Sequence, residues 1–357
     1  MRGPALATVA QLTDFDEIID VRSEGEYAED HVPGAINCPV LDNAERAQVG
    51  TIYKQRSPFE AKKLGAALVS ANIARHIQRH FLGRDREWRP LVYCWRGGAR
   101  SGAFAHVLSE VGWRVARLDG GYQAYRRAVV ADLERLPGRF RWRVICGLTG
   151  TGKSRLLRAL AAAGGRALDL EALASHRGSV LGELPDTPQP SQKMFDSRLW
   201  DALRSLDAAR PVYVEAESRR IGQLRLPAAL VEAMWGSECL VLEAPLPARV
   251  GLLMEEYAHF FDQAEALIAR LECLAPLHGR AVIAKWTDLV LARDWRALTS
   301  ELLVTHYDPA YTRAITKHYP ALDRARKLEL HDTGDAAFER LAQQCLDFED
   351  SHGRASV

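Results

Sequence analysis

Along the first third of the chain, short apolar runs alternate with stretches whose apolar residues recur every three to four positions. Runs of the first kind suit buried strands and stretches of the second suit helices, so the alternation is that of a parallel α/β domain. EIIDVR (17–22), LVYCW (91–95) and WRVARLDG (113–120) are predicted as buried strands. SPFEAKKLGAALVSANIARHIQRHFLG (57–83) is predicted as one long helix. Its start carries Ser57 as N-cap, Pro58 in the first turn and Glu60 in capping-box position.

RLPGR (135–139) reads as a linker, because Pro137 and Gly138 interrupt the helix before them. A second α/β pattern follows. RWRVICG (141–147), RALDL (166–170), PVYVEAE (211–217) and ECLVLEA (238–244) are predicted strands, and SRLLRALAAAGG (154–165) is a helix closed by glycine. Residues 248 to 325 are mostly helical in pattern. RKLELHD (326–332) returns as a last strand, with a helix over 335–348. The predicted domains are therefore 1–135, and a second α/β domain over 136–247 and 326–357 that carries a helical insertion at 248–325.

A chain of 357 residues suits two such domains. No apolar run approaches the roughly 20 residues of a membrane span, and the first residues lack a signal-peptide core. Six cysteines without a CxxC pair indicate neither a disulfide framework nor a zinc knuckle. A soluble chain in the reducing cytosol is expected, with no membrane partner.

The formal net charge is only +1, but arginines crowd the stretch from Arg75 to Arg143 with few acids among them. Arginine forks suit phosphate oxygens, so this stripe fits an RNA backbone; a solvated surface is the alternative.

CWRGGARS (94–101) lies after a predicted strand and before the helical pattern SGAFAHVLSEVG. Such a loop aims successive N–H groups and the positive end of a helix at the cysteine sulfur, which favours a thiolate, persulfide, perselenide or oxyanion. Cys94 is the candidate catalytic residue, Arg96 and Arg100 supply cationic groups, and the glycines let the loop curl. A buried structural cysteine is the alternative. DVR (20–22), EY (26–27), HVPGAIN (31–37), the cysteine loop and LDGGY (118–122) together resemble the rhodanese family over most of residues 10–130. Five residues separate Cys94 from Arg100, one more than in common sulfur-transferring rhodaneses and as many as in cysteine-dependent phosphatases. The wider loop suits a phosphate-bearing chalcogen donor and leaves phosphatase action open.

GLTGTGKS (147–154) satisfies the Walker A pattern between a predicted strand and a predicted helix. Gly147, Thr149, Gly150, Thr151 and Gly152 form the cradle, whose N–H groups would wrap a diphosphate. Lys153 neutralises phosphate charge, and Ser154 ligates Mg2+ where an ion is used. Glu215 ends a strand as a Walker B acid does, but VEAESRRIG (214–222) is no ordinary nucleotidase segment. Asp169 is a second acid for a metal or water; an N-cap or ion pair is the alternative for each. Further substrate-binding candidates are His176, Arg177, Gly178 and Ser179, then Glu217, Ser218 and Arg219. Gln192 and Phe195 in PQPSQKMFD (188–196) offer groups that read or stack a base. HYDPAY (306–311) reads as a helix–helix turn.

These motifs, with VGTIYKQRSPFEAKKLG (49–65) and the rhodanese-to-P-loop order, resemble the bacterial tRNA 2-selenouridine synthase family. That resemblance implies a tRNA partner bearing wobble 2-thiouridine. It implies geranyl diphosphate and selenophosphate as co-substrates, the P-loop serving the first and Cys94 with Arg96 and Arg100 the second. Two other readings stand beside it. One is an ATP-dependent kinase- or NTPase-type tRNA sulfurtransferase with a rhodanese persulfide carrier. The other is a non-catalytic tRNA-binding P-loop module.

Overall fold

Two runs of buried β-branched and aliphatic residues, LVY and RVIC, become the central strands of two parallel sheets. The computed structural model describes residues 4–179, 181–185 and 187–353. They fall into two units: the chain up to Asp132 with Pro190–Asp201, and Leu133–Gln189 with the chain from Ala202 onward.

In the first unit the strands are β1 (Ala5–Ala7), β2 (Glu17–Asp20), β3 (Ile36–Asn37), β4 (Pro90–Tyr93) and β5 (Ala116–Leu118). They pair in the order β1-β5-β4-β2-β3, every pair parallel. All four residues of β4 are buried, as expected of a strand covered on both faces. The predicted long helix is observed as Pro58–His76, continued by a π-turn over Ile77–Phe81. Ser57 caps it, its hydroxyl accepting from the Phe59 N–H at 3.1 Å. Glu60 forms no capping box and pairs with Lys63 at 2.6 Å instead. A helix at Asn43–Gln55, opened by a reciprocal Asp42–Glu45 capping box, completes this layer.

The segment Pro190–Asp201 departs from the expected domain map, since it belongs to the first unit rather than to the P-loop domain. Ser197 donates to Asp30 at 2.7 Å, Lys193 pairs with Glu29 at 2.6 Å, and Arg126 pairs with Asp196. The Trp200 ring meets Tyr125 edge-on, with centroids 5.4 Å apart. Phe195 is 0% exposed, so it is a core residue and offers no face to a base. The Gln192 amide is engaged by Asp196 at 2.8 Å. The amphipathic period of a core helix had the composition of a base-reading segment.

The second unit holds β6 (Trp142–Cys146), β7 (Arg166–Leu168) and β8 (Val212–Glu215). The hairpin β9 (Arg220–Ile221) and β10 (Leu224–Arg225) follows, then β11 (Glu238–Glu243) and β12 (Arg326–Glu329). The main sheet runs β12-β11-β6-β8-β7, again all parallel. Strand addition goes to one side of β6 and then to the other. That reversal opens a crevice at the carboxyl end of β6, the usual ligand position in such sheets. Ile145, Leu156, Leu160, Leu242, Phe338 and Leu341 close the core beneath it. From Leu246 to Arg324 every regular element is helical, as the expected insertion required. A separate core around Leu271, Trp286, Val290 and Leu302 holds that subdomain together. Among the described residues no helix is long and apolar enough to cross a membrane.

If Phe195 is a core residue, Phe195→Ala should destabilise the fold by about 3–5 kcal/mol. Urea unfolding followed by tryptophan fluorescence would show the lowered midpoint. An unchanged midpoint would return Phe195 to the surface.

Candidate functional site

Cys94 follows β4 directly and is 3% exposed. Its Sγ lies 3.2 Å from the hydroxyl of Ser101, which is buried on the helix Ala99–Val111. The loop is held from behind by the chain after β5, where the N–H of Tyr122 donates to the Cys94 carbonyl at 2.9 Å and that of Gln123 to Trp95 at 3.0 Å. A Cβ on Gly121 would fall 2.2 Å from the Cys94 carbonyl oxygen. The LDGGY motif is therefore the buttress of the cysteine loop, and its glycine is a steric necessity.

Arg100 is not free to serve an anion as it stands, because it pairs with Glu26 at 2.9 Å. Glu26 also meets Arg46 at 3.2 Å. Burial works against the Glu26 charge, but Arg100, the Ser23 N–H and Arg46 together hold its carboxyl below the usual range. Arg96 is exposed and has no ion pair among the described residues. The DVR motif is structural. Arg22 and Asp20 form a buried bidentate pair, and the Arg22 guanidinium lies 4.0 Å from the centre of the Tyr122 ring. Of the arginine stripe, Arg84, Arg89, Arg100, Arg126, Arg141 and Arg143 are paired to carboxylates. Much of its charge is therefore matched internally.

In the second unit the Walker loop turns from β6 into the helix Lys153–Ala162. Gly152 has φ +84°, and a Cβ there would fall 2.5 Å from the Phe338 ring, so only glycine passes. Thr151 is buried, its hydroxyl donating to the Leu148 carbonyl at 2.9 Å. The Lys153 ammonium donates to the Gly147 carbonyl at 2.9 Å. The Tyr311 hydroxyl accepts from the Gly147 N–H at 2.8 Å. Buried Arg249 donates to the Thr149 carbonyl at 2.8 Å and pairs with Asp308. HYDPAY is thus no turn between helices. It runs from a π-turn straight into the helix Asp308–His318, and two of its residues hold the phosphate loop.

A cavity of about 720 Å³ opens on this loop. Thr149, Gly150, Gly152, Lys153 and Ser154 line it with Asp169, His176, Arg177, Gly178 and Ser179, and Glu215, Glu217, Ser218 and Arg219 complete the wall. Asp169 also caps a helix, accepting from the Ala172 N–H at 2.8 Å. His176 accepts from the Gly178 N–H at 3.1 Å, and burial lowers its pKa. Arg177 lies 4.9 Å from the Tyr257 ring centre, and Arg219 lies 4.8 Å from that of Trp235. Ser218 is spent on its own turn, donating to the Arg220 carbonyl. Gln192 and Phe195 are absent from this wall, and Cys94, Arg96 and Arg100 belong to the other unit.

Three carboxylates meet beside the loop. One oxygen each of Glu171, Glu215 and Glu217 lies within 4.8 Å of the other two. Burial pushes the Glu171 carboxyl up to about 9, and the charges of Glu215 and Glu217 add to the rise. Burial likewise lifts Glu217 to about 8 and Glu215 to about 7, with Lys153 opposing both. Glu171 was not among the expected site residues. As an acid in a helix first turn after an Asp N-cap, it has the signature of a dipole partner.

A second, apolar cavity of about 70 Å³ shares Thr149, Ser179, Leu253, Tyr257 and Tyr307 with the first. Leu267, Trp295, Leu298, Leu302 and Leu303 of the helical subdomain form its far wall.

With these raised values the folded chain binds more protons than the unfolded chain between about pH 4.5 and 9. Stability in chelator-containing buffer should therefore fall as pH rises through that window. Glu171→Gln should flatten the fall, by up to about 1.4 kcal/mol per pH unit for one proton. Melting temperatures measured across the window would show this, and an unchanged slope would mean that Glu171 is ionised throughout.

Residues 140–273 match the tRNA 2-selenouridine synthase AAA domain family, and residues 6–128 match the rhodanese-like domain family. A tRNA 2-selenouridine synthase of Marinobacter nauticus is 37% identical over 331 residues, covering 84% of this chain and 88% of the relative. The synthase of Nitrosomonas europaea is 36% identical over 244 residues, 67% of this chain and 63% of that one. The synthase of Sulfurovum sp. is 36% identical over 250 residues, 67% of this chain and 65% of that one. The chain thus spans slightly under two thirds of the length of the last two. Both halves of the sequence, and the order in which they follow one another, place the chain in the tRNA 2-selenouridine synthase family.

Proposed function

We propose that the protein is a tRNA-modifying transferase. It geranylates wobble 2-thiouridine from geranyl diphosphate, then replaces the S-geranyl group with selenium from selenophosphate. The observation that carries the first half is the pairing of a phosphate-cradling loop with an apolar cavity that shares its wall. A nucleoside triphosphate has no use for such a cavity, whereas a prenyl diphosphate needs a polar head site and a dry tail site side by side. The apolar space equals that of roughly five water molecules, which is about one five-carbon unit. The rest of a ten-carbon chain fits when the flexible leucine and phenylalanine side chains of the lining move aside.

In the first step the thiouridine sulfur attacks C1 of the prenyl chain. The C1–O bond breaks, diphosphate leaves, and the base loses its N3 proton to water. Negative charge grows on the departing diphosphate at the N-terminus of the helix Lys153–Ala162, where the Lys153 ammonium turns to meet it. Lys153 gives up its carbonyl partner Gly147 to do so. Water excluded by the apolar wall cannot compete for the prenyl cation character at C1.

In the second step selenium attacks C2 and the C2–S bond breaks. The sulfur departs as a neutral geranyl thiol after taking a proton, a far better leaving group than sulfide. Hydrolysis of the Se–P bond then releases phosphate. Cys94 serves this step from its loop, with exposed Arg96 binding the phosphate oxygens of the donor. Arg100 joins only by exchanging Glu26 for the donor.

Mass spectrometry of 2-thiouridine tRNA, incubated with the protein and geranyl diphosphate with or without selenophosphate, tests this reading. A geranyl mass gain should appear, and a selenium-for-sulfur gain should replace it when selenophosphate is present. ATP consumption with tRNA and no such mass change would assign phosphoryl transfer instead. Cys94→Ala should abolish selenium incorporation and leave geranylation within about threefold of wild type, while Lys153→Ala should slow geranylation roughly 100-fold or more. Loss of both activities in folded Cys94→Ala would overturn the division between the sites.

A further inference from the structure

We infer that Glu171, Glu215 and Glu217, with the Ser154 hydroxyl beside them, form a divalent-cation site that fills before any diphosphate arrives. The order of filling rests on the prenyl-diphosphate reading above; the existence of the site does not.

Separate elements bring the ligands together. Glu171 stands in the first turn of the helix Leu170–Ala174, Glu215 ends β8, and Glu217 follows two residues later. The Ser154 hydroxyl is 3.1 Å from Glu171 Oε2, which ties the cluster to the phosphate loop itself. Glu215 is 1% exposed, and its Oε1 has no hydrogen-bond partner. An acceptor buried without a donor is costly and calls for a ligand that the protein does not itself provide. The nearby ammonium of Lys153 is directed to the Gly147 and Leu148 carbonyls.

Space for the ion is kept open by a backbone choice. Gly178 has φ +70°, and a Cβ there would lie 3.1 Å from both Glu171 Oε1 and Glu217 Oε1. The donor set is oxygen throughout, which selects Mg2+, Mn2+ or Ca2+ over softer metals. The ion of an ordinary phosphate loop leans on the bound nucleotide, with a hydroxyl and one or two carboxylates from the protein. Three carboxylates here present enough charge to hold a dication with no phosphate present. The first preference of such a site is therefore a resident ion that waits for the leaving group.

The test is a Mn2+ titration of the metal-stripped full-length protein in the absence of any diphosphate. Electron paramagnetic resonance reads free Mn2+, and calorimetry reads the heat. Wild type should bind one Mn2+ that Mg2+ displaces. Glu215→Gln and Glu171→Gln should each weaken binding at least tenfold, and Glu171→Asp should restore part of it. Circular dichroism confirms that each variant is folded. Wild type that binds Mn2+ only after diphosphate is added would overturn this inference while leaving the prenyl reading intact. Equal binding by wild type and both glutamine variants would also overturn it. Failure of geranyl transfer in the tRNA assay leaves the titration unaffected, so the two readings fail separately.

Discussion

Both sites depend on backbone passing closer to its surroundings than a side chain allows. At the end of β4, the turn carrying Gly121 presses against the Cys94 carbonyl at a distance where no Cβ fits. At the end of β6, Gly152 lets the Walker loop turn under the ring of Phe338. Carbonyls of both loops are engaged by their surroundings: those of Cys94 and Trp95 by N–H groups of the helix after β5, that of Thr149 by Arg249. With those acceptors spent, each loop is fixed in shape at the end of its strand.

The two cradles are nevertheless set against different backgrounds. The cysteine loop has its nearest cation, Arg100, balanced by Glu26, while Arg96 faces solvent. The Walker loop faces three buried carboxylates and an apolar wall. An anion entering the first site meets a cation that must change partners. An anion entering the second would meet carboxylates whose burial has raised their pKa values.

The main strands, the long helix and both loops were legible because each is local. A run of four buried residues, a Pro at a first turn, or GLTGTGKS is complete within a few positions. What escaped the sequence was set by residues far apart or by elements too short to show a period. The edge strands β1 and β3 have three and two residues, fewer than alternation needs. The composition around Phe195 suits a base-stacking group as well as a core helix, and the structure makes it the latter. Its helix is held by partners far along the chain, Ser197 on Asp30 and Trp200 on Tyr125. Tyr311 supports Gly147 across 164 positions, which no local pattern announces.

Of the eighteen site residues expected in the P-loop domain, fourteen nevertheless line one cavity; Gly147 and Thr151 do not line it, and Gln192 and Phe195 belong to the first unit. The reason is topological. In a parallel sheet every strand ends at the same edge, so loops after β6, β7 and β8 converge whatever their spacing in the chain. A reader who knows only that Asp169, Glu215 and Lys153 follow strands can place them together, but cannot tell which will face the ligand. Asp169 lines the cavity while capping its helix, whereas Glu171, two residues on, joins the carboxylate cluster. The sheet fixes the neighbourhood, and the first turn of the following helix decides which carboxylate enters it.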